Sequence, residues 1–406
     1  MTRSRLIASL SAVTLGALVL AGCGGGPGGT SSDSGPIKIG ASIPLTGSLA
    51  GFGPIIQQAY QTDVDRVNAA GGITVGGQPR QVELVLRDSQ SDPNTVAQQS
   101  RDLVLKDGVV GLLGSVSPPL AIPAANVAEQ QKVPFVSTLT PIEAWKAGNP
   151  SGWTYSWNFF FDENQQTDTQ FLGADQVRTN KKVALFTDNE QDGIVMGKLW
   201  AEKAPTFGYT IATHAEFPVG TTDYSTFVQK AKAADAQILI AQMIPPDSFA
   251  LWKQMKSLGW SPSVVHCLKC AAPGAFQKAL GPLAEGTQGN GWMLASDDPL
   301  QAELTREFTP KLGDNLDLQS FLAEFSAAKI LTDAIAAAGS TEADPINAAI
   351  AKTDTMTAFG QRVAFDGSHS AAVTAVNVQW QGSETLQVFP KTKGSVALQF
   401  PAQGLR

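Results

Sequence analysis

The sequence predicts an α/β protein built as two Rossmann-like lobes with parallel sheets, and three observations carry that expectation. From Pro36 onward, short apolar runs alternate with longer amphipathic segments, the pattern of strands joined by helical crossovers. The 406 residues suffice for two domains at about 150 residues each. A hydrophobic fraction of 43% permits a sizeable core in both.

The first unit is the clearest. Ile37, Ile39, Ala41 and Ile43 alternate as in a strand, Pro44 to Gly53 is a Gly-containing loop, and Pro54 falls where a helix accepts proline. Ile56, Ala59 or Tyr60, Asp63 or Val64 and Val67 recur at three-to-four spacing, and Gly71-Gly72 ends the helix. The scheme repeats as Val82 to Leu86 with the helix after Asp92-Pro93, then Val109 to Leu113 with the helix through Ile122 and Val127, then Val133 to Val136. Lys182 to Phe186, Ile211 to Phe217, Gln237 to Gln242 and Ser263 to Cys267 supply a second strand set, with helical stretches such as Phe249 to Leu258 between them. Trp292 to Leu294 and the helices Ser320 to Ala338 and Pro345 to Ala351 read as a return to the first lobe. Ala372 to Trp380 and Thr385 to Phe389 read as a closing hairpin. The expected lobes are therefore 36–155 plus 289–364 and 156–288 plus 365–406. Crossings near 155, 288 and 365 make a multi-strand hinge, about which the lobes rotate to grip a ligand at the C-terminal strand ends.

Ahead of this domain, Arg3 and Arg5 precede the apolar stretch Leu6 to Leu20, and Ala21-Gly22-Cys23 offers small residues before one thiol. The pattern resembles a bacterial lipoprotein signal. That resemblance implies removal of residues 1–22 and acylation of Cys23. The stretch falls short of the roughly 20 apolar residues that span a bilayer. Two or more acyl chains, at about 0.8 kcal/mol per buried methylene, hold a soluble domain at a membrane surface. Residues 23–35, rich in Gly and Ser, read as a flexible tether. The expected location is extracytoplasmic, with the lipid as the only membrane contact.

Loss of the leader takes the formal charge from -7 to -9, because residues 1–22 hold Arg3 and Arg5 and no acid. No basic face for a nucleic acid is expected. If Cys23 carries lipid, Cys267 and Cys270 remain as a C-x-x-C pair in an oxidising compartment, which leaves a local disulfide or two free thiols open. A thioredoxin-like redox site wants its first cysteine at a helix N-terminus, whereas Cys267 ends the strand-like run Val264-Val265-His266.

The domain also resembles the branched-chain amino acid type of periplasmic binding protein, the capture component of an ABC importer. Ile37-Lys38-Ile39-Gly40 with Pro44-Leu45-Thr46-Gly47, the Gly51-Phe52-Gly53 step and Val67-Asn68-Ala69-Ala70-Gly71-Gly72-Ile73 carry the likeness. So do Asp88-Ser89-Gln90-Ser91-Asp92-Pro93 and Gly111-Leu112-Leu113-Gly114-Ser115. The likeness implies the type I fold of that family and a small-molecule ligand between the lobes. It further implies ABC permease and ATPase partners, a monomer, and no cofactor or metal.

The same likeness assigns site residues. Ser115, Val116 and Ser117 would meet a ligand carboxylate through hydroxyls and backbone amides, against the alternative that the serines cap the helix opened by Pro118-Pro119. Leu139 and Thr140 would meet the ligand amino group, with an offset of one or two positions open because Pro141 stands where the family has threonine, and Phe52 would either cover the ligand side chain or pack against the first helix. Trp157 is the member of the run Tyr155 to Phe161 expected to face the cleft. On the second lobe, Asp192 and either Met243 or its neighbour Ile244 stand where the family has tyrosines, and Lys269 stands near the acid that pairs with a ligand ammonium, unless it is a solvated lysine at a strand end. A lysine there would repel an ammonium and attract a carboxylate, at about 4 kcal/mol for charges about 4 Å apart in an effective dielectric near 20. Asp192 either takes over the ammonium or pairs with Lys269. Catalysis is not expected. His214, His266 and His369 are isolated, no Gly-x-Ser-x-Gly elbow occurs, and no cluster has metal-ligand spacing. A sensor that presents its closed form to a membrane receptor uses the same cleft and stays open as an alternative.

Overall fold

The computed structural model describes residues 35–271, 274–294, 298–311, 317–382 and 384–406. The leader, Cys23 and the tether as far as residue 34 lie outside them. No described helix is long and apolar enough to cross a membrane.

The first lobe opens with β1 (Ile37–Ile43), α1 (Gly53–Ala69) and a small hairpin of β2 (Ile73–Val75) and β3 (Gln78–Arg80). It continues through β4 (Val82–Asp88), α2 (Pro93–Leu105), β5 (Gly111–Leu113), α3 (Pro118–Gln131), β6 (Phe135–Ser137), α4 (Ile142–Gly148) and β7 (Ser156–Phe161). Helix starts follow local chemistry: Asp92 accepts from the Thr95 amide at 2.7 Å to cap α2, and Pro93 occupies a first-turn position that needs no donor. The second lobe follows with α5 (Glu163–Ala174), β8 (Lys182–Asp188), α6 (Gln191–Lys203), β9 (Thr210–Phe217) and α7 (Ser225–Ala233). Then come β10 (Ile238–Gln242), α8 (Pro245–Ser257), β11 (Val264–Leu268), α9 (Gly274–Leu280) and β12 (Thr287–Gly291). The chain returns through α10 (Pro299–Phe308), α11 (Leu318–Ala338), α12 (Ala343–Ile350), the pair β13 (Asp354–Met356) and β14 (Arg362–Ala364), and β15 (Ser370–Val373). It ends in the second lobe with β16 (Val376–Gln381) and β17 (Glu384–Phe389).

Two sheets result. The first runs β15-β7-β6-β5-β1-β4 with all pairs parallel, and the second β17-β16-β12-β11-β10-β8-β9, antiparallel only at the β12, β16 and β17 edge. Parallel strands covered on both faces read as continuous apolar runs, and β10 and β11 are buried at every residue. Helix α11, rich in Ala, Leu and Ile, is buried along most of its length and packs on α1, β5 and β6.

Sheet membership moves all three expected crossings. Residues 156–161 stay in the first sheet, because β7 pairs with β6 at Val136 and Trp157 and with β15 at Phe159 and Ala371. The chain leaves at Asp162, whose carboxylate caps α5 through the Gln165 amide at 3.0 Å. Residues 289–291 stay in the second sheet, held antiparallel to β16 from Gly289 and Val378 to Gly291 and Val376. Residues 370–373 belong to the first sheet. The run Ala372 to Trp380 is thus two strands in different sheets, joined at Thr374-Ala375.

Candidate functional site

The lobes face each other across a cavity of about 50 Å³, room for roughly four waters at about 10–15 Å³ each. A larger guest needs the walls to move apart. On the first wall stand Phe52 ahead of α1, Val116 and Ser117 after β5, Leu139 and Pro141 after β6, and Phe160 and Phe161 at the end of β7. Opposite stand Asp192 and Met196 of α6, Gln242 of β10, and Leu268 and Lys269 at the end of β11. Asn290, Trp292 and Ser320 complete the lining. Most of these positions are C-terminal strand ends, where open α/β sheets leave backbone groups and side chains free for a ligand.

Ser117 occupies the N-cap position of α3 with φ 73°, yet its hydroxyl makes no capping bond. Its amide donates to the Leu139 carbonyl at 3.1 Å, which ties the two first-wall loops together, while its buried hydroxyl has no partner. The loops also touch at Gly114, where a Cβ would stand 2.4 Å from the Ser137 hydroxyl, so only glycine fits. The Ser115 hydroxyl is likewise buried and unpartnered, though Ser115 does not line the cavity.

Besides Ser115, three expected residues stand outside the lining. Thr140 is absent from the lining: its hydroxyl contacts the Thr138 carbonyl at 3.3 Å, and its own carbonyl accepts from Asn158 at 2.8 Å. Its neighbours Leu139 and Pro141 reach the cavity instead, because Leu139 turns at φ 53°. Trp157 lies nearer the start of β7, stacks on the His369 ring at 3.6 Å and donates to Asn347 at 2.7 Å, so it serves the packing of β7 against α12. Met243 is fully buried in the second lobe's own core. Gln242, one residue earlier at the strand end, takes its place in the lining.

The second wall is an ion cluster. The Lys269 ammonium meets the Glu190 carboxylate and lies 3.3 Å from Asp192 Oδ2, with only 8% of the lysine side chain exposed. Lys269 is therefore a buried, paired lysine at the strand end and not a solvated one. Burial alone would pull this lysine's pKa down, but the carboxylates of Asp192, Glu190 and Asp188 outweigh it and hold the pKa above its usual value. Asp188 is pushed up to about 8, chiefly by burial, against the lowering pull of Lys269 and with a further push from Asp192 and Glu190. Asp192 sits in the first turn of α6, where a helix dipole favours negative charge. It divides its oxygens: Oδ2 also accepts from Gln242 Nε2 at 2.6 Å, whereas Oδ1 is buried without a partner. Three carboxyls with one ammonium could suggest a cation site, but Lys269 already fills it.

Leu268 and Lys269 lie inside the four-residue turn closed by a disulfide between Cys267 and Cys270. The crosslink backs a backbone that holds Lys269 at φ 60°, a conformation a β-carbon resists. Loop-closure entropy for so short a ring is worth about 2 kcal/mol. Replacing both cysteines by alanine is expected to lower stability by that amount, read as a shift of the urea midpoint at unchanged slope; a midpoint that stays put would show the turn to be held without it.

Residues 36–384 match the family described as periplasmic binding protein. Leu/Ile/Val-binding protein homolog 7 of Brucella abortus (strain 2308) is 24% identical over 397 residues, covering 92% of this chain and 96% of that protein. The branched-chain amino acid transporter substrate-binding protein of Streptococcus pneumoniae, solved in complex with isoleucine, has a TM-score of 0.77 at 21% identity, covering 86% of this chain and 97% of that one. A solute-binding protein of an ABC transporter from Rhodopseudomonas palustris, solved in complex with benzoate, has a TM-score of 0.74 at 14% identity, covering 91% and 97%. At such identities the likeness is one of fold, and it agrees with the type I architecture expected from the sequence.

Proposed function

The chain belongs to the periplasmic binding protein family, and from that premise we propose that it is the lipid-tethered, extracytoplasmic capture component of an ABC importer. It binds a small amino acid-like or carboxylate-bearing solute between its lobes, closes by hinge rotation, and delivers the guest unaltered to a permease. The family places the protein outside the cytoplasm, and the Arg3 to Cys23 pattern supports the tether.

One observation carries the choice of guest. Buried polar atoms are normally paired, yet Ser117 Oγ and Asp192 Oδ1, on opposite sides of one cavity, have no partner. The serine side suits an acceptor such as a carboxylate, and the aspartate side suits an N–H donor such as an ammonium. Between them Phe52, Leu139, Phe160 and Met196 offer apolar contact. Isoleucine and benzoate, bound in the two structural neighbours, share a carboxylate on an apolar body. A guest with an acid end alone is the second reading, supported by the ammonium that Lys269 already presents to Asp192.

Isothermal titration with L-leucine, isocaproate and isoamylamine separates these readings, since they carry both ends, the acid end and the amine end. L-Leucine is expected to bind tightest. Asp192→Asn should weaken it about 10-fold or more while sparing isocaproate, because a hydrogen bond to a charged group is worth about 1.5–3 kcal/mol. Equal affinity for L-leucine and isocaproate would favour the acid-only guest. Silence from these three and from a wider set of amino acids, amides and carboxylic acids would remove the capture reading.

A further inference from the structure

Behind the Ser115 to Ser117 loop, the Tyr60 hydroxyl lies 2.9 Å from the Gly114 carbonyl and 2.5 Å from Glu324 Oε2. All three groups are buried between α1, α11 and the end of β5. A phenol has one proton to give, and a carbonyl can only accept. If Tyr60 donates to Gly114, the short contact to Glu324 needs a proton on the carboxyl. If Glu324 is ionised, it accepts the hydrogen bond of the Tyr60 hydroxyl, and the 2.9 Å contact to Gly114 holds two oxygens with no hydrogen between them. Ionisation would also leave a charge in apolar surroundings with Oε1 unpartnered and no cation beside it among the described residues.

We propose that Glu324 and Tyr60 are positioning residues of the capture site: protonated Glu324 donates to the Tyr60 hydroxyl, which donates to the Gly114 carbonyl and fixes the loop that carries Val116 and Ser117 into the cleft. The inference rests on the capture reading for its purpose, but the proton chain stands on its own geometry. Gly114 is a sensitive point to hold, because it packs directly on Ser137 of the second cleft loop. Burial pushes the Glu324 carboxyl up to about 8, against a lowering contribution from the Tyr60 bond, so the chain is intact near neutrality and opens above it.

The surroundings leave few rivals for such a titration. Strands β2, β5 and β6 bring no ionisable side chain to α11. Helix α1 brings Tyr60 and Asp63, the latter bonded to Thr332 at 2.8 Å, and Arg66, which pairs with Glu303 and Glu307 of α10. On α11 itself Asp317 caps the first turn, and Lys329 pairs with Asp333. Asp344 of α12 accepts from Tyr155. Arg306 completes the charged set on α10.

The Ser115 amide shares a peptide unit with the Gly114 carbonyl, so its nitrogen resonance reports that hydrogen bond. In the ¹⁵N-labelled whole protein without added solute, the Ser115 signal is expected to move in a single step centred near pH 8. In Glu324→Gln, whose amide donates at every pH, the step should vanish while the signal keeps its neutral-pH position. In Tyr60→Phe the signal should be displaced and flat. A step that survives in Glu324→Gln belongs to another group, such as Asp63, and overturns the proposal; so does a wild-type signal that never moves. Should Tyr60→Phe fail to fold, the Glu324→Gln comparison alone decides. If L-leucine binds, its Kd should rise several-fold between pH 7 and 8.5 in the wild type and change less in Glu324→Gln, where Asp188 of the second wall, also pushed up to about 8, still titrates. Absence of L-leucine binding speaks against the capture reading and leaves the resonance test untouched.

Discussion

Lys269→Ala is expected to lower the stability of the protein by about 3–5 kcal/mol, the penalty for leaving a buried charge without its partner. The lysine, Glu190 and Asp192 side chains are 8%, 19% and 6% exposed, so water does not replace the lost ammonium. Alanine keeps a β-carbon at the same φ of 60°, so the backbone strain is unchanged and the loss reports electrostatics. The triple variant Lys269→Met, Glu190→Gln, Asp192→Asn removes the acids with the base and is expected to return to within about 1–2 kcal/mol of the wild type. Urea unfolding at pH 7 reads both. A loss under about 1 kcal/mol in Lys269→Ala, or no recovery in the triple variant, would mean that Glu190 and Asp192 do not depend on this lysine.

This cluster marks the limit of what the sequence discloses. The strand-and-helix order was legible because Ile37 to Ile43 alternate and because Asp92-Pro93 and Gly71-Gly72 punctuate helices by mechanisms that act over a few residues. The crossings were not. Nothing in Ser156 to Phe161 distinguishes an inner strand of the first sheet from a bridge between lobes, and no Gly, Pro or charge stands between Val373 and Val376, where the chain changes sheet. Ser117, Asp192 and Lys269 were accessible through family likeness, but the lysine's bonding depends on the carboxylates of Glu190 and Asp192, the former 79 residues away in the chain. Gln242 and Asn290 carried an unused signal: each is a polar residue at or near the end of a buried strand, where ligand-facing positions are expected. Met196 and Ser320 carried none, because their exposure to the cavity is set by how α6 and α11 pack. The contact of Tyr60 with Glu324, 264 residues apart, is of the same kind.

The second large effect is on pH dependence. Glu324 is pushed up to about 8, Asp63 to about 7 and Asp317 to about 6, in each case chiefly by burial. In the unfolded chain these groups titrate near 4, so between that pH and their folded values the native state holds protons that the unfolded state has lost. Stability therefore rises as pH falls from 8 toward 5, by about 1.4 kcal/mol per pH unit for each fully retained proton, and is lost again as pH climbs through the folded values. The histidines act in the opposite sense. His266 is fully buried and held down to about 3, and burial also lowers His214 and His369, so below about 6.5 the unfolded chain gains protons that the native state refuses. The rise is thus steep from pH 8 to 6.5 and shallower below it, with a maximum expected near pH 5. Once the unfolded carboxyls protonate, the native excess disappears and the histidine difference dominates, so stability falls on the acid side. Scanning calorimetry from pH 4 to 9 is expected to show a melting temperature higher at pH 5.5 than at pH 8, with Glu324→Gln making the alkaline limb shallower but not flat, because Asp188, also pushed up to about 8, and Asp63 still titrate. A melting temperature that climbs from pH 6 to 8 would mean that these buried carboxyls are ionised in the native state, and the proton chain from Glu324 to Gly114 would go with them.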